Sequence, residues 1–213
     1  MRECSGIHSE RRISRPAAPT VSNRFRRMAE LAEHISSAAV RALDEIPSDV
    51  RADIYAVSFF VYDEDDDPRK PTVTVGFNTE ADVSESGGDE EARWNYAFWR
   101  QNQLAIICDS GADPAGADLR EAWAKHEGLW YELEPGEDAV FNERGEPLTK
   151  AFVHLLVGVV QRLHRGDVER IFGRPLPVII HELEYDDQIA RQNLAANPAG
   201  VVPDGFVRWC RGE

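Results

Sequence analysis

Three segments of this 213-residue chain gather residue types that can do chemistry. The run Asp63-Glu64-Asp65-Asp66-Asp67 alternates carboxylates as the opening of a calcium loop does. Such a loop needs glycine at its sixth position for a sharp turn and a bidentate glutamate at its twelfth. Pro68 and Thr74 stand there, so the run reads as a solvated hairpin loop. His181-Glu182-Leu183-Glu184 opens like a zinc-protease helix, but Tyr185 takes the place of the second histidine and the segment has strand composition. Cys108-Asp109-Ser110 puts a thiol and a hydroxyl beside a carboxylate, in surroundings that do not match a nucleophile elbow. A thiol–histidine pair between Cys108 and one of the six histidines is left open by spacing alone. The stretch from Gly111 to Gly116 has no lysine to serve a phosphate loop. Cys4, Cys108 and Cys210 are too few and too scattered for a zinc set or a disulfide framework. They fit a reducing cytoplasm. No cofactor is indicated.

Four of the five tryptophans, Trp94, Trp99, Trp123 and Trp130, share one stretch with Glu90, Glu91, Glu121, Glu127, Glu132 and Glu134. Core packing is the ordinary use of tryptophan. Aromatic anchors rimmed by carboxylates are also how an interface for a basic partner is built. Glu90, Glu91, Trp94, Trp99, Glu121, Trp123 and Trp130 therefore form the candidate partner-binding set. Charge supports it. The chain carries −14, but Met1–Arg27 holds seven arginines against two glutamates, so the remainder carries −19. An acidic body disfavours nucleic acid, which needs clustered Lys and Arg. It suits electrostatic capture of a basic protein.

The elements that position these residues are legible in the apolar pattern. Residues 1–27 hold Pro16 and Pro19 and show no apolar periodicity. They read as a disordered basic tail, and translation starting at Met28 is an alternative to Met1. Residues 28–213 read as one domain. Met28, Leu31, Ile35, Ala39, Ala42, Leu43 and Ile46 make a helical stripe that Pro47 ends. Ile54–Tyr62 is a strand covered on both faces, and Thr72–Phe77 alternates as a strand with one buried face. The two form an antiparallel hairpin. Asp89 starts a short helix carrying Trp94 and Trp99, and Leu104–Cys108 is a short strand. Asp118 and Glu121 have capping-box spacing for a helix that Gly128 stops. Pro147 starts the strongest helical stripe, Leu148, Phe152, Leu155, Leu156, Val159 and Leu163. Pro177–Leu183 is a strand, and Asp186–Ala196 a closing helix. No apolar run approaches the roughly 20 residues of a membrane span. The expected class is α+β, with a small, mostly antiparallel sheet of about four strands packed with several helices.

The order of landmarks carries a resemblance. A strand ending in an acidic loop (Tyr55–Asp67) leads to Asn78-Thr79-Glu80 and then to the tryptophan-bearing stretch Trp94–Trp99. Later come the long helix, the strand at Val178–Ile180 and the acidic helix start Asp186-Asp187 with Asn193 inside it. Over most of Met28–Ala196 this resembles an uncharacterised α+β family of bacterial proteins of the kind that acts as immunity proteins to polymorphic toxins. The resemblance implies a non-catalytic binding module for a basic protein such as a toxin, and it brings no catalytic residues. The alternative is a small enzyme with a dispersed site drawing on Cys108 or His181 with carboxylates. A structural or regulatory subunit of another complex is a third reading, which sequence does not separate from the first.

Overall fold

A computed structural model describes the backbone of residues 21–132 and 138–213, and the side chains of 26–132 and 143–213. Its elements are α1 (Val21–Asp44), α2 (Ser48–Arg51), β1 (Ile54–Asp63), β2 (Pro71–Thr79), α3 (Glu80–Glu85), α4 (Glu90–Trp94), β3 (Ala105–Ile107), α5 (Pro114–Glu127), α6 (Asp138–Leu163), α7 (Asp167–Phe172), β4 (Val178–His181), α8 (Asp187–Ala196) and α9 (Asp204–Arg211). Short 3₁₀ turns lie at Glu64–Asp66 and Tyr96–Phe98. The four strands make one sheet in the order β3-β2-β1-β4. Pairing is antiparallel for β1–β2 and β2–β3 and parallel for β1–β4. The protein is thus of α+β class with a mostly antiparallel, mixed sheet.

The sheet has an apolar layer on each face. Along β1, Val57, Phe59 and Val61 point to the layer built from α1, α5, α6 and α7. Ala56 and Phe60 point to the other, built from α4, α8 and α9. The register shift between Ile54 and Ala56 leaves Tyr55 as the extra residue of a bulge. Leu148, Phe152, Leu156, Val159 and Leu163 of α6 are almost wholly buried against the first layer. Each such side chain contributes about 1.5–3 kcal/mol by leaving water.

Several boundaries differ from the sequence pattern, each for a local reason. α1 starts at Val21, so 21–27 are helical; residues 1–20 of the expected tail lie outside the described residues. β2 is buried at all nine positions rather than on one face, because Arg120 reaches Thr72, Asn102 lies against Gly76, and Tyr55 and Arg100 bond Asn78 on the side its threonines leave open in the sequence pattern. α4 ends at Trp94, so Trp99 lies beyond it, after the Tyr96–Phe98 turn. α5 is capped by Asp113, which accepts from the Gly116 amide at 3.1 Å, with Pro114 in its first turn. Asp118 and Glu121 are therefore interior to it. α6 runs through Pro147 instead of starting there. β4 stops at His181, and α8 is followed by α9, so it does not close the chain.

Asparagine side chains finish what the strands leave unpaired. Asn193 accepts from the Ile180 amide and donates to the Ile180 carbonyl, both at 2.7 Å. One helical turn on, Asn197 does the same to Val178, both at 2.9 Å. Two carboxamides, one on α8 and one at its C-cap, thus stand in for a fifth strand along β4. Asn102 repeats the device on Phe77 of β2, at 2.8 and 3.0 Å. This needs glycine at position 76, where a Cβ would lie 2.6 Å from the Asn102 carbonyl oxygen. Gly145 of α6 likewise admits Pro68 of the β1–β2 loop, where a Cβ would lie 2.3 Å from the proline ring.

Among the described residues, no helix is long and apolar enough to cross a membrane. Replacing Asn193 with alanine strands a buried amide and a buried carbonyl of Ile180, at roughly 1–3 kcal/mol each. The expected result of Asn193→Ala is a lower denaturant midpoint with unchanged slope, and an unchanged midpoint would contradict the strand-mimic role.

Candidate functional site

The parallel strands β1 and β4 run their carboxyl ends toward the same side of the sheet, where Asp63, His181 and Glu182 all have perturbed protonation. Asp63 is the last residue of β1, and Glu182 follows the last residue of β4. Burial, then repulsion from Glu182 and Asp67, raises the Asp63 carboxyl to about 6. Its Oδ1 is buried and has no hydrogen-bond partner among the described residues. Glu182 is raised as well, by burial and then by Asp186. Beside them lies a cleft of about 310 Å³ between α6 and the β4–α8 loop, lined by Glu146, Lys150, Glu182, Glu184, Tyr185 and Asp186 among others. Leu183, between two of these carboxylates, is 74% exposed.

Beneath this rim sits His181, with no exposed surface. Phe60, Tyr96, Trp99 and Tyr185 surround its ring at centroid distances of 4.7–6.0 Å. Nδ1 lies 3.1 Å from the Glu182 carbonyl, which only an N–H can satisfy, so Nε2 accepts from the Ser58 hydroxyl at 2.8 Å. That is the contact of a serine nucleophile with its base, but Ser58 is also buried and the aromatic ring seals both. Burial lowers the imidazole to about 4, so it is neutral at physiological pH.

The acidic run after β1 is not a solvated loop throughout. Glu64 is buried and paired with Arg120 of α5, which is 3% exposed. Arg120 Nη1 donates to Glu64 Oε2 at 3.4 Å, Thr72 Oγ1 at 3.3 Å and the Cys108 carbonyl at 2.7 Å. Ser110 adds its amide and hydroxyl to Glu64 Oε2, at 3.2 and 3.1 Å. Asp67 is held by Arg69 at 2.7 Å and Asp65 by Lys70 at 3.1 Å. The Cys108–Asp113 segment is a pair of capped turns. Asp109 accepts from Gly111 and Ala112, and Asp113 from Cys108 and Gly116. The Cys108 thiol is buried and pushed up to about 12, and Cys210 likewise. Neither is a thiolate at neutral pH. Among the described residues, no group of three His, Cys, Asp or Glu side chains could hold a metal ion.

The seven residues of the candidate binding set do not form one surface. Trp94 and Trp99 are 2% and 4% exposed in the layer under α9, and Trp123 is 3% exposed in the opposite layer. Glu90 accepts from the Trp94 indole at 2.7 Å. Glu91 is exposed, and Glu121 pairs with Lys125 one turn along α5. Trp130 is half-buried between Arg69 and Lys125, which approach its ring to 5.6 and 5.1 Å. Their clustering in sequence reflects a chain that crosses from one face of the sheet to the other. Asn78-Thr79-Glu80 is a joint: Asn78 bonds Tyr55, Thr79 caps α3 and Glu80 pairs with Arg93. Arg120 was missed, although a lone cation between Ala117 and Trp123 on an apolar helix face was the available signal.

No protein-family model, curated protein or solved structure matches the chain.

Two predictions follow from these buried charges. Arg120→Ala removes the buried cation beside Glu64, leaving it Ser110 and the more distant Lys70 at 3.8 Å, and should cost about 3 kcal/mol of unfolding free energy; a loss within surface-mutation range would count against the knot. For pH, His181 is depressed in the fold, so the unfolded chain binds its proton first. Stability from this group is complete above about 6.5 and is lost as pH falls towards about 4, by roughly 3 kcal/mol. Asp63, raised to about 6, has the opposite sign and gains stability on protonation. Asp63→Asn should therefore stabilise the protein at neutral pH and steepen its acid unfolding, as followed by thermal melts across pH.

Proposed function

We propose that this chain is a non-catalytic, acidic protein-binding module of the immunity-protein type, acting in the bacterial cytoplasm by covering a basic partner such as a toxin. The observation that carries this reading is the Glu182-Leu183-Glu184 loop, an exposed leucine between two carboxylates that line an acidic cleft. Leu183 is the most exposed large apolar side chain among the described residues, and covering it with a partner removes that surface from water. The surrounding carboxylates steer basic surfaces to it and repel acidic ones. The resemblance to immunity-type proteins points the same way. The loop replaces the tryptophan set as the anchor, because three of those tryptophans are core residues. An enzyme built on Cys108 or His181 has less support, since both side chains are sealed from substrate.

The test uses the full chain as bait in lysate of its own source, at low and high salt, beside two variants. Wild type is expected to retain a basic protein that high salt releases. Leu183→Arg with Glu184→Lys should lose it, and Glu91→Lys, outside the lining of the cleft, should keep it. Retention of nothing, or equal retention by the loop variant, overturns the reading.

A further inference from the structure

The two outer sides of the sheet are finished differently. Along β4, Asn193 and Asn197 occupy the backbone groups. Along β3 no such cover exists among the described residues; a groove lies there instead, between the strand and α1. It comprises two cavities of about 300 and 360 Å³ that share Ala42, Glu45 and Leu104. The groove follows from a second stripe on α1. Leu31, Ile35, Ala39 and Leu43 point into the core, while His34, Ala38, Arg41, Ala42 and Glu45 look along the sheet edge. Ala38 and Ala42 are too small to fill the space above Leu104, Ala105 and Ile106, which stay half-buried.

We infer that this groove is the contact between two copies of the chain, with β3 pairing antiparallel to its counterpart and the two α1 helices lying antiparallel beside each other. Charge selects a second copy as the occupant. Arg41 and Glu45 are exposed, one turn apart, and neither is in an ion pair among the described residues. A two-fold axis beside Ala42 and Leu104, residues common to both cavities, places each Arg41 against the other copy's Glu45. The patch is then complementary to itself, as an isologous contact requires. The small side chains at 38 and 42 let the helices approach, and the pairing satisfies the edge of β3. Elsewhere, a chain of charge −14 repels its own copy; here the two ion pairs oppose that locally.

The test is the mass of the full chain in solution, by sedimentation equilibrium over a wide concentration range, for wild type, Arg41→Glu, Glu45→Arg and the double swap. Wild type should reach the mass of two chains. Each single substitution sets like charges against each other twice and should weaken association by roughly tenfold or more. The double swap restores opposite charges and should recover it, while far-ultraviolet circular dichroism stays unchanged in all four. A wild type that is monomeric throughout overturns the inference. So does a dimer that all the variants form equally well, since it would then use another surface.

Discussion

The backbone groups on the outer side of β4 bond to asparagine side chains, and much of the architecture depends on that substitution. A sheet of four strands with an apolar layer on each face has little water at its edges, so an unpaired amide or carbonyl there is costly. Asn193 of α8 and Asn197 at its C-cap lie four residues apart, which matches the two-residue repeat of β4 closely enough to serve Ile180 and Val178 together. This fixes α8 against β4, and α8 in turn carries Ile189 and Ala190 into the layer that holds Trp94 and Phe206. Asn102 performs the same task for β2, at the place where Gly76 lets the chain come close.

The polar interior is arranged on the same logic. Three kinds of group that could be reactive in another setting are withdrawn from solvent. His181 is neutral inside its aromatic surround, Arg120 and Glu64 neutralise each other, and the two described thiols lie in apolar surroundings. What stays accessible is the carboxylate rim at the ends of β1 and β4. There Glu182 raises the affinity of Asp63 for its proton, Asp186 raises that of Glu182, and Leu183 stands in solvent. A surface of that kind favours an occupant that is basic and in part apolar.

Chemistry and packing are therefore interleaved along the same strand. β1 contributes Ser58 to the histidine contact, Asp63 to the acidic rim and Val57, Phe59 and Val61 to the principal core. A change in the alternation of this one strand would disturb all three, which is why the bulge at Tyr55 sits at its start, ahead of them.

By itself the sequence determined the class, the hairpin, the third and fourth strands and the long helices, because these depend on apolar periodicity within one segment. It placed the stop at Gly128, whose left-handed φ suits glycine, while α1 ends at Asp44, three residues before Pro47. Only the tertiary structure decided which tryptophans face solvent, since that depends on which side of the sheet the chain is crossing. Three of the four in the clustered stretch turned inward. It also decided the roles of Asn193, Asn197, Asn102 and Arg120. Their hydrogen bonds go to residues 12 to 56 positions away, beyond the reach of any local pattern. The exposed Leu183 is the converse case. A leucine inside an apolar run reads as strand, and it faces water because β4 ends two residues sooner, where His181 is locked under Tyr185.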